Sequence, residues 1–456
     1  MAEFHTSLFI FRRDLRLKDN IGLAHAHKLS ERVVPCFIID PRQVTAANPY
    51  RSLNARQFML EALDDLSQQL HKIDGKLFIF HGIAEDVVNK LIAKNEIDAV
   101  FVNRDYTPFS IERDTAIKNE CAEHDVPFFS DDDILLHEPD VILTGAGKPY
   151  VMFTPYYRKA ALLKVEKPLK MQKYKWLKTV KGVQEFDIRT LQREYTNPNL
   201  HVHGSRSDAE KILRTIKKYK DYAQTHDFPA IATTHLSAYI KFGLVSIREV
   251  YDAMANAFGK KSALVRQLFW HDFFTTVAYF NPSVFGQPFK EKYASLAWEN
   301  NRAMFDRWRA GMTGFPIVDA GMRQLNVTGY MHNRVRLITG SFLVKDLHID
   351  WRWGERYFAQ QLVDYDPSVN NGNWQWVAST GTDSQPYFRI FNPWLQQKKF
   401  DPDCTYIKEW IPELRSVEPR KIHTLYKSEP VDGYPEPVID HRVESAKTKQ
   451  IFKKIQ

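Results

Sequence analysis

Cysteine is scarce in this chain. Cys36, Cys121 and Cys404 are the only three in 456 residues, too few and too scattered for a disulfide framework or a cysteine-based zinc site. That usage points to a reducing compartment, and a cytoplasmic protein without a structural metal is expected. Long apolar runs are also missing. The N-terminus MAEFHTSLFIFRRDLR reaches a basic cluster after a short apolar run, so it lacks the core of a secretory signal, and no stretch approaches the length of a membrane span. A third absence is the glycine fingerprint G-x-G-x-x-G after the first strand-like run, where RRDLRLKDN stands instead. A dinucleotide held on a glycine-rich turn is therefore not expected there.

The length favours two or three domains, because one hydrophobic core rarely serves so many residues. Lys and Arg number 63 against 55 Asp and Glu, a net charge of +8 and a pI near 9.0. Such a balance suits a polyanionic partner if the charge is clustered, and is equally compatible with a solvated basic surface. Aromatics make up 13% of the chain, and nine of the ten tryptophans lie at Trp270 or beyond, which assigns the aromatic chemistry to the second half.

Residues 7 to about 130 alternate β-rich runs (SLFIF, VVPCFIID, KLFIF, DAVFVN, VPFFS) with amphipathic stretches, in one of which Leu63, Leu66, Leu70 and Ile73 share a helical face. The pattern predicts an α/β fold with a doubly wound parallel sheet over residues 1–134. Over 135–204 it breaks into Pro- and Lys-containing segments such as EKPLKMQKYKW and REYTNPNLHVHG, read as a surface connector. Residues 205–456 lose the strand signal and predict a mostly helical domain, with capping boxes at Ser207/Glu210 and Ser246/Glu249. The basic tail SAKTKQIFKKIQ reads as an exposed terminal helix prone to fraying.

Three segments concentrate chemistry. The run from Asp364 to Pro393 crowds acids, adjacent asparagines and two tryptophans together; acids and amides beside buried indoles must be hydrogen-bonded, so a polar aromatic ligand such as a flavin is the reading. FPAIATTHLSAYIKFG places Thr233, Thr234 and Ser237 around a helix start, either simple caps or an anion site suited to a pyrophosphate. GYMHNRVRLITGSFL spreads His332, Asn333, Arg334 and Arg336 over more than one helical face. A buried guanidinium requires a carboxylate, and Asp364 or Asp366 is the natural candidate.

Taken in order, FRRDLRLKDN, TTHLS, RQLFWHDFF, TGFPIVDAGMRQL, MHNRVR, IDW, the Asp364 run and FDPDCTYIKEWIPEL resemble the photolyase/cryptochrome family, most closely class I cyclobutane pyrimidine dimer photolyases, over nearly the whole chain. The resemblance implies an N-terminal α/β antenna domain, a helical domain holding FAD, and light-driven repair of damaged DNA in which a flipped pyrimidine dimer is split by electron transfer. It carries Tyr222, Thr233, Thr234, His235, Leu236 and Ser237 onto cofactor contacts, with Arg336, Asp364, Tyr365 and Asp366 around the flavin and Asn370 facing its N5. A neutral amide can hydrogen-bond either N5 state. Trp374, Trp351 and Trp298 match an electron-transfer chain to the surface; by spacing alone each is core. Trp270 and Trp376 match aromatics that stack on an extruded dimer, and His226, Gln267, His271, Asn333, Arg334, Leu337 and Arg389 match other substrate positions. The implied partner is damaged DNA, bound by a monomer with no membrane and no obligate protein partner.

The chain also departs from the family pattern. Gln267 stands where dimer photolyases usually have glutamate, His271 replaces an arginine, and His235 replaces another in the phosphate motif. Glutamine at 267 fits (6-4) photolyases, yet those use a histidine pair where this chain has only His332, with Arg336 at the second place. A blue-light receptor without repair is the other rival, opposed by Asn370 and by the absence of a long extension after the helical domain. A nicotinamide-using flavoprotein oxidoreductase is opposed by the missing glycine fingerprint. YTPFSIERD, Ala46 and Ala47 lack the folate contacts of some relatives, so the second chromophore stays open among methenyltetrahydrofolate, a deazaflavin, another flavin or none.

Overall fold

The β-rich runs of the first 131 residues form a five-stranded, all-parallel sheet in the order β3-β2-β1-β4-β5, with β1 Phe4–Phe11, β2 Ser30–Ile39, β3 Phe78–His81, β4 Ala99–Asn103 and β5 Phe128–Asp131. Helices α1 (Ile21–Leu29), α2 (Leu53–His71), α3 (Ala84–Asn95) and α4 (Pro108–Glu123) supply the crossovers that parallel strands need. Covered strands read as continuous apolar runs; Leu8, Ile10, Val34, Cys36, Phe78, Phe80, Val100 and Val102 accordingly form one buried cluster with α3 and α4 residues. Leu63, Leu66 and Leu70 are buried on α2 as the periodicity requires, whereas Ile73 lies past its end. The computed structural model describes residues 2–171 and 174–455, so positions 172 and 173 of the EKPLKMQKYKW segment lie outside the described residues.

Two compact units divide the chain: Met1–Asn197 with Val202–Lys220 and Thr234–Phe280, and Pro198–His201 with Asp221–Thr233 and Asn281–Gln456. In the first, the charges of RRDLRLKDN are satisfied internally. Arg16 is buried, its Nη2 donating to both carboxylate oxygens of Asp133 at 2.7 and 2.6 Å, and Arg248 reaches Asp133 at 2.7 Å and Asp19 at 3.0 Å. Buried guanidinium groups need such carboxylates. The 135–197 stretch contributes a helix, α5 (Phe153–Ala160), and the buried Trp176, which bridges to Val33. Helices α6 (Ile247–Phe258) and α7 (Ala263–Phe280) complete the unit.

The two expected capping boxes have different outcomes. Ser246 and Glu249 form theirs at the start of α6. Ser207 does not cap: the helix begins at Arg206, so Ser205 takes the cap position and accepts from the Asp208 N–H, while Glu210 pairs with Arg206 at 3.1 Å.

The second unit is helical, built on α8 (Arg302–Ala310), α9 (Pro316–Thr328), α10 (Asn333–Lys345), α11 (Trp351–Gln361) and α12 (Pro367–Ala378). Its core joins Trp308, Phe315, Val335, Ile338, Phe342, Trp351, Phe358 and Trp374. The C-terminal helix α13 (His441–Lys453) is docked rather than exposed, correcting the reading of the tail: Thr448 and Phe452 are buried. Lys345, at the end of α10, lies with Nζ 3.7 Å from the Phe452 ring centre and donates to the Ala378 carbonyl at 3.3 Å and to Ser379 Oγ at 3.0 Å. Burial holds this amine well below its usual pKa. Among the described residues, no helix is long and apolar enough to cross a membrane, and no group of three His, Cys, Asp or Glu side chains is placed to hold a metal ion.

Candidate active site

In the second unit, the start of α10 and the loop leading into α12 bring the expected carboxylate and guanidinium together. Arg336 Nη2 lies 2.9 and 3.1 Å from the Asp364 oxygens, its Nε donates to the Met331 carbonyl at 2.8 Å, and its guanidinium sits 5.5 Å over the Tyr330 ring. Asp364 rather than Asp366 is the partner. Asp366 instead caps α12, accepting from the Val369 N–H at 3.1 Å. Tyr365 between them is half-buried.

Asn370 occupies the first turn of α12 and is half-buried. Its Nδ2 donates to the backbone carbonyl of Glu355 at 3.1 Å and to its carboxylate at 3.0 Å. Both partners only accept, which fixes the orientation of the amide. Glu355 was invisible as a site residue in the sequence, because a single glutamate in WRWGERYF looks like any helix surface position. Leu337 packs on the same core, and Asn333 is exposed at the first position of α10.

Trp374 and Trp351 are buried, while Trp298 and Trp376 are half-buried against the core. The ring neighbours of Trp374 are Phe358 at 4.9 Å and Trp308 at 6.3 Å; Trp351 is not among them. Gly354 on α11 faces the Trp374 ring, and a side chain there would have no room.

Around Arg334 the structure adds a residue that the sequence did not single out. Asp227 pairs with Arg334 at 2.6 Å and with His226 at 3.1 Å, and His226 lies 5.1 Å from the Tyr222 ring. Two of the expected contact residues, Arg334 and His226, are thus tied together through one carboxylate, and Tyr222 packs on the second of them. His201, also not foreseen, stacks on Tyr330 at 4.3 Å, and burial holds its pKa low, with Asp364 opposing and Arg336 reinforcing the shift. Thr233 is half-buried in this unit and Arg389 is exposed.

His332 is the N-cap of α10, its Nδ1 accepting from the Arg334 N–H at 3.2 Å. Burial, chiefly, and the nearby Arg336 push its pKa from 6.5 down to about 4. A pKa lowered on folding gives stability that is present above the unfolded value and lost as pH falls from about 6.5 toward 4. Urea unfolding at pH 7 and pH 4.5 should therefore show about 2.5 kcal/mol of acid-dependent loss from this residue. His332→Asn, which keeps a capping side chain, should remove that part of the loss; an unchanged difference between the two pH values would exclude it.

In the first unit, Thr234, His235 and Leu236 precede a five-residue helix, Ser237–Lys241. His235 has φ 53°, a left-handed conformation uncommon outside glycine. Ser237 is exposed and Leu236 buried, and no side chain caps this helix. On α7, Gln267 and the half-buried Trp270 and His271 follow one another along an outward-facing stripe. His271 Nδ1 lies 3.3 Å from Asp272, which is itself buried and accepts from the Leu136 and His137 N–H groups at 2.9 and 3.2 Å. Trp270 lies flat against Phe153 of α5, with centroids 3.6 Å apart and planes 7° from parallel.

A model described as DNA photolyase matches residues 7–173, and one described as the FAD binding domain of DNA photolyase matches residues 264–454. The chain belongs to the DNA photolyase family. Among its relatives is a deoxyribodipyrimidine photo-lyase from Alkalihalophilus pseudofirmus, 38% identical, with 97% of each chain covered. The solved archaeal photolyase from Sulfolobus tokodaii, reported with two FAD molecules and the implication of a novel light-harvesting cofactor, is 42% identical, with a TM-score of 0.90 and coverage of 98% of this chain and 100% of that one. A Synechocystis cryptochrome shares the fold at 24% identity and a TM-score of 0.89, covering 99% of each chain.

Proposed function

We propose that the protein is a light-dependent DNA lyase that binds a flipped cyclobutane pyrimidine dimer and splits it with the help of FAD. The observation that carries this reading is Asn370. Its amide nitrogen is committed to Glu355, so its carbonyl oxygen is the group left to accept a hydrogen bond. An acceptor there suits a reduced flavin carrying a proton on N5, and the paired guanidinium and carboxylate of Arg336 and Asp364 suit the polar edge of an isoalloxazine. The donor set therefore fits the cofactor.

FAD, when bound and reduced, supplies the light-driven electron for ring opening. The chain supplies position and shelter. The Arg336–Asp364 pair and Asp366 set the polar end of the pocket, and Tyr222 with the Thr233–Ser237 segment takes the phosphates. Trp270 and Trp376 stack on the extruded dimer, and His226, Gln267, His271, Asn333, Arg334, Leu337 and Arg389 surround it. Trp374, Trp351 and Trp298 form the relay to the surface. No general acid or base is required.

In this reading residues 1–134 serve as the antenna domain, 135–204 as its connector and 205–456 as the FAD and DNA domain of a cytoplasmic monomer. A second flavin is the antenna that the archaeal relative supports. The reversal of strand order between β1 and β4 supports this reading, because α/β sheets take ligands outside the C-terminal ends of strands at such a point. There Arg12 pairs with Asp114 at 2.6 Å, while its buried Nη2 has no hydrogen-bond partner among the described residues.

The deciding experiment compares oligonucleotides carrying one cyclobutane dimer or one (6-4) product, incubated with reduced, FAD-loaded protein in blue light and in the dark. Light-dependent loss of the cyclobutane dimer is expected. Loss of only the (6-4) product would reassign the lesion, and repair of neither would favour a photoreceptor.

A further inference from the structure

Arg266 lies one helical turn before Trp270 on the exposed stripe of α7. Its guanidinium is held 5.2 Å from the ring centre of Phe153 and 5.2 Å from that of Tyr157, both on α5. Phe153, itself buried, is the ring on which Trp270 lies at 3.6 Å. The arginine and the indole thus share one aromatic support.

No carboxylate pairs with Arg266 among the described residues, and what distinguishes it from other exposed arginines of this unit is its place against two aromatic rings. Contact with aromatic faces orders a guanidinium without neutralising it. It therefore keeps its full charge and a planar N–H fork, the geometry that matches a phosphate in bidentate fashion. Holding the long side chain in advance also removes part of the ordering cost of binding.

We propose that Arg266 contacts a backbone phosphate of the lesion-bearing strand, next to the indole on which the flipped dimer stacks. This rests on reading Trp270 as the stacking platform. Gln267 and His271, on the same stripe, face the base; Arg266 fixes the strand that carries it. Contacts of this kind set register rather than sequence.

The test measures binding of a dimer-containing oligonucleotide and its undamaged counterpart over a range of salt, for wild type, Arg266→Gln, Arg266→Lys and Trp270→Leu, each checked for bound FAD. One lost phosphate contact reduces the slope of log K against log salt by about 0.9, which at about 0.1 M salt weakens binding roughly tenfold. Arg266→Gln should show both changes on the dimer substrate, and Arg266→Lys should recover most of the slope but not all of the affinity. A wild-type slope in Arg266→Gln, alongside a dimer preference that depends on Trp270, would overturn the phosphate contact alone. A wild-type protein with no preference for the dimer, or a preference that survives Trp270→Leu, would overturn it through the reading on which it rests.

Discussion

Arg336→Ala should destabilise the apoprotein by about 3 kcal/mol and abolish retention of FAD through purification. Asp364 is buried and accepts both of its Arg336 hydrogen bonds from one nitrogen, so removal of the guanidinium leaves a carboxylate in a poorly solvated place. Breaking a buried pair typically costs about 3–5 kcal/mol, and the lower figure applies because Arg336 is itself partly exposed. The same change frees the Met331 carbonyl. Urea unfolding of the apoprotein and the flavin-to-protein absorbance ratio report the two effects. Arg336→Lys, which keeps charge but not the fork, should fall between. If the alanine variant matched wild type in both, the pair would be incidental to the site.

Gly354→Ala should be destabilising although it exchanges glycine for alanine inside a helix, a substitution that on intrinsic preference alone gains about 1 kcal/mol. The added Cβ would lie 2.2 Å from Cη2 of Trp374 and 2.5 Å from Cδ2 of Leu343. The ring is buried and cannot swing aside. Overpacking of this kind costs about 1–3 kcal/mol, and contacts this short fall at the upper end, so a net loss near 2 kcal/mol is expected. The displacement bears directly on α12, where Asn370 stands one turn before Trp374. Flavin affinity should therefore drop as well. Adding Trp374→Phe should restore part of the stability, and a double-mutant cycle isolates that coupling. Simple additivity of the two changes would show that the collision is relieved elsewhere.

Much of this architecture can be read from residue order, and the exceptions share a cause. The five strands announce themselves because parallel strands covered on both faces need unbroken apolar runs, as in VVPCFII. The Arg336–Asp364 pair is legible because a guanidinium among apolar residues must have a carboxylate. Glu355 and Asp227 are not, since nothing local distinguishes an acid that orients an amide or joins an arginine to a histidine from one that faces water. Their roles exist only once α11 meets α12 and once residue 227 meets α10. Ser205 shows the same limit at shorter range: two serines flank Arg206, and the helix start selects the first. For RRDLRLKDN, the sequence speaks against a glycine-turn nucleotide site, but the destinations of its charges, Asp133 for Arg16 and Arg248 for Asp19, lie over a hundred residues away.

The lysine beneath the last helix has a chemical consequence of its own. Lys345 is the rare amine whose proton is held weakly and whose approach is blocked by Phe452 and Thr448. Lys345 is 1% exposed, so while α13 stays docked an acylating reagent meets the surface lysines and not this one. The protein thereby carries a latent label site: modification at this one position would record each occasion on which its final helix lifts away.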